Sequence, residues 1–185
     1  MMRIKLDEKV RPGLKDLYCP YKAIRLSRMS VGEYIRMIAK VADKFLIGTE
    51  AHSLIYFNSE CKKEVVVEYK GHRFRIDAVC NGNEIYEVKL AVGEKYREWY
   101  LWTLRKYMCM WIMRSGVDRV TGYLVGILDG RVVTVELDKA KAEKECEELD
   151  RRIEEFEKGV EVKVRGSHCE GCMFKSECNN AKLTV

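Results

Sequence analysis

The sequence predicts an α/β core whose two ends are joined at a cysteine-rich site. Three observations carry this. Apolar residues switch between helical and strand spacing along the chain, in the order helix, three strands, helix, two strands, helix. The first three strands are separated only by Lys70-Gly71 and Asn81-Gly82-Asn83, breaks so short that the strands must form an antiparallel meander. Cys169, Cys172 and Cys178 crowd the C-terminal end while Cys19 lies near the start.

In chain order, Ser30 and Glu33 make an S-x-x-E capping box, and Ile35, Ile38, Ala42 and Phe45 follow at helical spacing, so a helix is predicted from Ser30 to about Gly48. Strands are predicted over Glu64 to Tyr69, Arg73 to Val79 and Glu84 to Leu90. Gly93 to Arg114 has no breaker and is rich in Tyr, Trp, Leu and Met, which predicts a helix buried on much of its surface. Val120 to Leu128 and Arg131 to Leu137 read as a hairpin across Asp129-Gly130. Asp138 caps a charged helix that runs to Lys158 and stops at Gly159, and Val160 to Val164 reads as a short strand. There is no internal repeat and no low-complexity linker, so the 185 residues form a single domain with its core at about 30–164.

Composition narrows the function classes. No apolar run approaches the roughly 20 residues that cross a bilayer, and the start is charged where a signal peptide would be apolar, so a cytoplasmic protein is expected. A net charge of +5 with 34% charged residues permits an anionic partner without demanding one. Glutamine is absent and the charge sits in Lys, Arg and Glu, a bias of thermophile proteins. Eight cysteines in such a chain argue first for metal binding, with intracellular disulfides of hyperthermophiles as the alternative.

The second and third strands each have one apolar and one polar face. Phe74, Ile76 and Ala78 alternate with Arg73, Arg75 and Asp77, and Tyr86, Val88 and Leu90 alternate with Glu87 and Lys89. A three-residue loop at Asn81-Gly82-Asn83 places Asp77 opposite Glu87 on one face, leaving the apolar face to pack on a helix. Two facing carboxylates call for a cation between them, either Lys89 or a metal. Other E-x-K triplets, such as Glu68-Tyr69-Lys70, read as ordinary solvated charges; the aspartate across a tight turn sets Glu87-Val88-Lys89 apart. The chemistry that suits the cluster is phosphodiester hydrolysis with one or two Mg²⁺ or Mn²⁺ ions on hard oxygen ligands, to which His52 would add a nitrogen ligand.

Cys169, Cys172 and Cys178 form a CxxC followed by a third cysteine after five residues, and with Cys19 they supply four thiolates, enough for a tetrahedral Zn²⁺ or an iron-sulfur cluster. Cys61, Cys80, Cys109 and Cys146 stand singly and read as small buried apolar residues or, for Cys146, an exposed thiol.

Taken together, Cys19, His52, Asp77, Glu87-Val88-Lys89, a tyrosine-bearing helix and then Cys169, Cys172 and Cys178 resemble the RecB-like nucleases with an iron-sulfur staple, most closely the CRISPR-associated exonuclease family Cas-four. The resemblance spans nearly the whole chain. It implies a restriction-endonuclease-like core with a mixed central sheet flanked by helices, and an iron-sulfur subdomain built from the Cys19 region and residues 165–185. It also implies His52, Asp77, Glu87 and the Val88 carbonyl as ligands of Mg²⁺ or Mn²⁺, with Lys89 as catalytic lysine. Cys19, Cys169, Cys172 and Cys178 would hold the cluster, commonly 4Fe-4S. The implied activity is 5′ to 3′ exonuclease action on single-stranded DNA, with endonuclease activity beside it, during CRISPR spacer acquisition alongside the spacer-integration proteins or in related DNA processing; the alternative is a non-catalytic DNA-binding adaptor stabilised by an iron-sulfur or zinc site. The family's Q-x-x-x-Y is matched by Thr103-Leu104-Arg105-Lys106-Tyr107, which keeps the tyrosine and loses the glutamine. Tyr107 would contact DNA or the lysine, and Arg75 and Arg105 are candidates to follow the DNA backbone.

Overall fold

Five strands form a single sheet in the order β1-β2-β3-β4-β5, comprising Cys61–Tyr69, His72–Cys80, Glu84–Lys89, Arg119–Gly126 and Val132–Asp138. The computed structural model describes residues 9–39, 55, 57 and 60–180, the last two by backbone alone. The helices among them are α1 (Leu14–Leu17), α2 (Pro20–Arg28), α3 (Val31–Ala39), α4 (Glu94–Ser115), α5 (Lys139–Glu157) and α6 (Lys175–Asn180), with a 3₁₀ turn at Ser167–Gly171. His52 and the end of the helix predicted to reach Gly48 lie outside the described residues.

The predicted meander forms. β1 and β2 pair antiparallel with Tyr69 opposite His72, and β2 and β3 pair antiparallel with Cys80 opposite Glu84, so Asn81-Gly82-Asn83 is the three-residue loop. Asn81 and Gly82 both take positive φ, 52° and 78°, which Asn and Gly tolerate better than other residues. β3 then pairs parallel with β4, a pairing that no hairpin can connect, and α4 makes the crossover. β4 and β5 close the sheet antiparallel, and the sheet is therefore mixed.

Local signals place the helix ends. Ser30 and Glu33 exchange the two capping-box bonds, with the Glu33 N–H donating to Ser30 Oγ at 3.2 Å and the Ser30 N–H donating to Glu33 Oε2 at 2.8 Å. Gly116 ends α4 in the left-handed region at φ 73°. Asp138 caps α5 by accepting the Lys141 N–H at 2.9 Å.

Two expectations are corrected. Val160 to Val164 forms no strand, because the Val162 N–H turns back to the Val160 carbonyl at 2.8 Å while the Val162 carbonyl accepts the Tyr21 N–H at 3.0 Å. Cys61, Cys80, Cys109 and Cys146 are not single thiols: Cys61 is bonded to Cys80 across β1 and β2, and Cys109 of α4 to Cys146 of α5. A further finding is that α4 covers the face of the sheet that carries Glu87. The reason is Gly122 on β4, level with Ile85: a Cβ there would stand 3.1 Å from Leu104 Cγ of α4, so the helix lies against bare backbone. Val79 and Ile85 make the middle of that face apolar, and the charges of Arg73 and Arg75 fall toward the β1 edge.

The chain divides into two compact units, residues 1–44 with 152–185, and residues 45–151. In the first, Cys19, Tyr21, Leu26 and Phe174 make a small core against which Val164, Cys172 and Cys178 pack. In the second, Ile85, Leu104, Met108 and Leu124 are buried where α4 meets the sheet, and Ile76 is buried on the sheet's opposite face. A buried charge network ties α4 to α5: Lys106, with 0% of its side chain exposed, contacts Glu145 and Glu148, and Trp102 Nε1 donates to Glu148 at 3.1 Å. No helix among the described residues is long and apolar enough to cross a membrane.

Candidate active site

The register brings Asp77 and Glu87 to one face, as the loop length predicts, but the backbone ladder between β2 and β3 ends one pair earlier, at Ala78 and Tyr86. Beyond it the Asp77 side chain takes over: its Oδ2 accepts the Val88 N–H at 2.8 Å. A charged acceptor makes a stronger bond than a neutral carbonyl, so this contact holds the carboxylate against β3.

Lys89 supplies the cation between acidic groups. Its Nζ contacts Glu87 Oε1 and donates to the Val88 carbonyl at 2.9 Å. Burial alone would lower the Lys89 pKa, but Glu87 and then Asp77 outweigh it and hold the ammonium above its ordinary value. The side chain is therefore a fixed positive charge at neutral pH. Its partners, a carboxylate oxygen and a main-chain carbonyl oxygen, are hard donors of the kind that Mg²⁺ and Mn²⁺ take. The chemistry of Asp77, Glu87 and the Val88 carbonyl fits the implied metal, although among the described residues no three ligating side chains are already grouped around one point.

α4 closes the site from above. Tyr107 is 8% exposed, and burial, followed by the Glu87 and Asp77 carboxylates, pushes its hydroxyl well above the usual phenol value, so it remains a protonated donor. Thr103, 3% exposed, gives its hydroxyl to the Trp99 carbonyl of its own helix at 3.0 Å. That hydrogen is spent inside α4, and threonine does not replace a glutamine reaching toward a ligand. Arg105 faces α5, where its Nε lies 3.3 Å from Glu145. Arg75 is exposed and its Nε lies 2.7 Å from Glu64.

One residue here, Glu64, is not among the candidates that the sequence offers. Glu64 stands level with Asp77 in the β1–β2 register, between the pairs Lys63–Ala78 and Val65–Ile76, and takes φ 54° in mid-strand. Its carboxylate reaches Arg75 and acts on Tyr107. The signal was present: a two-residue turn at Lys70-Gly71 sets Tyr69 opposite His72 and hence Glu64 opposite Asp77. Tyr100, which its helical spacing assigns to core packing or, as the sharper alternative, to stacking on single-stranded bases, has Lys89 Nζ 5.5 Å from its ring centroid. It precedes Tyr107 by two helical turns, so both fall on one face.

The cysteines gather as well. Cys19, Cys169, Cys172 and Cys178 all line one cavity of about 210 Å³ in the unit made from the two ends. Cys19 caps α2, Cys169 lies in the 3₁₀ turn, Cys172 ends it and Cys178 sits in α6. The Cys19 and Cys169 thiols point at the Val162 and Val164 carbonyls, at 3.9 and 3.7 Å. Burial raises the Cys172 pKa, so this thiol needs a metal or a neighbouring cation to ionise. Lys22, Arg165 and Lys175 line the same cavity and suit an anionic thiolate group. Among the described residues no three His, Cys, Asp or Glu side chains stand at metal-ligating distance, so the cavity gathers the thiols without already setting them in a ligand shell. Four thiols lining one pocket nevertheless fit the chemistry of an iron-sulfur cluster or zinc.

No protein-family model matches the chain, and no curated protein does. Among solved structures, SSO0001 is similar with a TM-score of 0.58 and 19% identity, over 98% of this chain and 91% of that one. LHK-Exo, an alkaline exonuclease from Laribacter hongkongensis, aligns with a TM-score of 0.37 and 11% identity over 81% of this chain and 93% of its own, and in complex with dAMP with 0.42 and 13% over 83% and 90%. The likeness to SSO0001 is one of fold.

Proposed function

We propose that this chain is a metal-dependent DNA nuclease with a restriction-endonuclease-like core. The observation that supports this best is the Lys89 ammonium seated on Glu87 and the Val88 carbonyl, with Asp77 bonded to the Val88 N–H and Tyr107 above. Asp77, Glu87 and the Val88 carbonyl would hold Mg²⁺ or Mn²⁺, with His52 as a further ligand. When bound, the metal would supply an acidified water and neutralise charge developing on the phosphate. Displaced from Glu87, Lys89 would pair with the phosphate, and the protonated Tyr107 would donate to a phosphate oxygen or hold the lysine.

The finer reading follows the family resemblance: a 5′ to 3′ exonuclease on single-stranded DNA, acting in CRISPR spacer acquisition with the integration proteins, its cluster held by Cys19, Cys169, Cys172 and Cys178 in a structural role. Thr103 supports a second reading. With its hydroxyl spent on Trp99, the chain would bind DNA as a non-catalytic adaptor while a partner cuts.

Cleavage of 5′-labelled and 3′-labelled single-stranded DNA with Mn²⁺ separates the two. Wild type is expected to cut, Asp77→Ala and an EDTA control to fall to background, and the label pattern to report polarity. A folded, metal-supplied wild type that binds DNA without cutting it would instead establish the adaptor.

A further inference from the structure

We infer that Tyr96, Trp99 and Tyr100, on the first two turns of α4, form a stacking platform for the bases of single-stranded DNA beside the cleavage site. This deepens the nuclease reading and rests on it.

The aromatic residues of α4 divide into two groups. Trp102 is buried, with its indole N–H bonded to Glu148, and Tyr107 is buried over the carboxylates. Tyr96, Trp99 and Tyr100 are each only half-buried, although they are among the largest apolar groups in the helix. They lie against one another: Trp99 stacks on Tyr100 with centroids 5.5 Å apart and planes at 25°, and Tyr96 lies 6.2 Å from Tyr100 and 6.5 Å from Trp99. Core packing would cover such rings. Here a mutually supported aromatic patch stays accessible at the end of the helix nearest Lys89.

Its surroundings identify the ligand. Lys89 Nζ is 5.5 Å from the Tyr100 centroid and Lys95 Nζ is 5.7 Å from that of Tyr96, so cations flank the rings on the side of the carboxylates and along the helix. Aromatic faces with interleaved cations match a chain that alternates π-surfaces with phosphates, and base stacking on them tolerates any sequence. A duplex hides its base faces, so the platform selects single strands. With a phosphate near Lys89, the neighbouring base meets Tyr100 and Trp99.

Binding in EDTA isolates this from cleavage. The full-length protein is titrated with fluorescein-labelled oligothymidylate and, separately, with duplex DNA, following anisotropy and tryptophan emission. Trp99→Ala is expected to weaken single-strand affinity on the order of ten-fold or more while duplex affinity holds, and Trp99→Phe to retain most of it. Single-stranded DNA is expected to quench wild-type tryptophan emission, with the quench lost in Trp99→Phe. A folded Trp99→Ala with unchanged single-strand affinity would overturn the platform, as would wild-type emission indifferent to saturating oligonucleotide. The wild-type titration decides the matter even where Trp99→Ala fails to fold. Mn²⁺-dependent cleavage with unaltered affinity in Trp99→Ala removes the platform and leaves the nuclease; quenching and weakened binding without wild-type cleavage keep the platform and remove the nuclease.

Discussion

Lys89 is the residue on which the candidate chemistry turns, and its state follows from its neighbours. Its pKa stands above the free value of 10.5 because Glu87 and Asp77 overcome burial. The stabilisation from this shift is complete below pH 10.5 and is lost only as pH rises through the folded value. Wild type and Lys89→Met are therefore expected to differ in unfolding free energy by a constant amount from neutral pH to about 10 and to converge above it; a difference that vanishes near neutrality would show the lysine uncharged. Glu64 carries strain of another kind. At φ 54° a β-branched side chain is disfavoured by about 1–2 kcal/mol and glycine is not, so in chemical denaturation Glu64→Val should lose about that much and Glu64→Gly hold or gain. The carboxylate pair was legible from turn length alone, whereas the strain at Glu64 was not, since no local signal in Cys61-Lys62-Lys63-Glu64 asks for a left-handed residue.

At the scale of elements, caps and turns were the legible part because each is decided within a few residues: the Ser30–Glu33 box, Gly116 ending α4, Asp138 starting α5. Which face α4 would cover was not, because the answer lies in Gly122, on a strand that is distant in sequence from Glu87. The Cys109–Cys146 bond escaped for the same reason, whereas the Lys70-Gly71 turn that sets Glu64 opposite Asp77 also sets Cys61 opposite Cys80. The turn after β4 shows how tightly these elements are coupled. Asp129 accepts the Val92 N–H at 2.9 Å, the Ile127 N–H reaches the Lys89 carbonyl at 3.0 Å, and Leu128 is left 75% exposed at the tip. A Cβ on Gly126 would sit 2.9 Å from the Val92 backbone nitrogen and run into the Asp129 carboxylate. Gly126→Ala is thus expected to cost about 1–3 kcal/mol and to reduce cleavage more than DNA binding, because it displaces the backbone that sets Lys89. Thermal melting and single-turnover cleavage would check this, and equal losses in binding and cleavage would count against it.

Across the whole molecule, cysteine chemistry is partitioned. The two disulfides lie in residues 45–151, and the four thiols around the cavity lie in the unit made from the two ends. The two classes should respond to different treatments. Reductant should lower the melting of the sheet unit, with bridges of this kind worth about 2–4 kcal/mol, and leave any visible iron-sulfur absorption in place. If the proposed cluster is held there, Cys172→Ser should lower thermal stability and yield and should spare the disulfides. A Cys172→Ser protein that melts like wild type would remove the staple.

The partition also sets an order of birth. Cys19 emerges early from the ribosome, yet the other three thiols of its cavity arrive only with Cys169, Cys172 and Cys178, after the entire sheet unit has been made. The sheet unit has all of its own residues by Arg151, whereas the terminal unit lacks its second half until the end of the chain is made. If the cavity takes the proposed cluster, its four thiols are together only on a chain synthesised through Cys178, and full ligation would close the maturation of the protein.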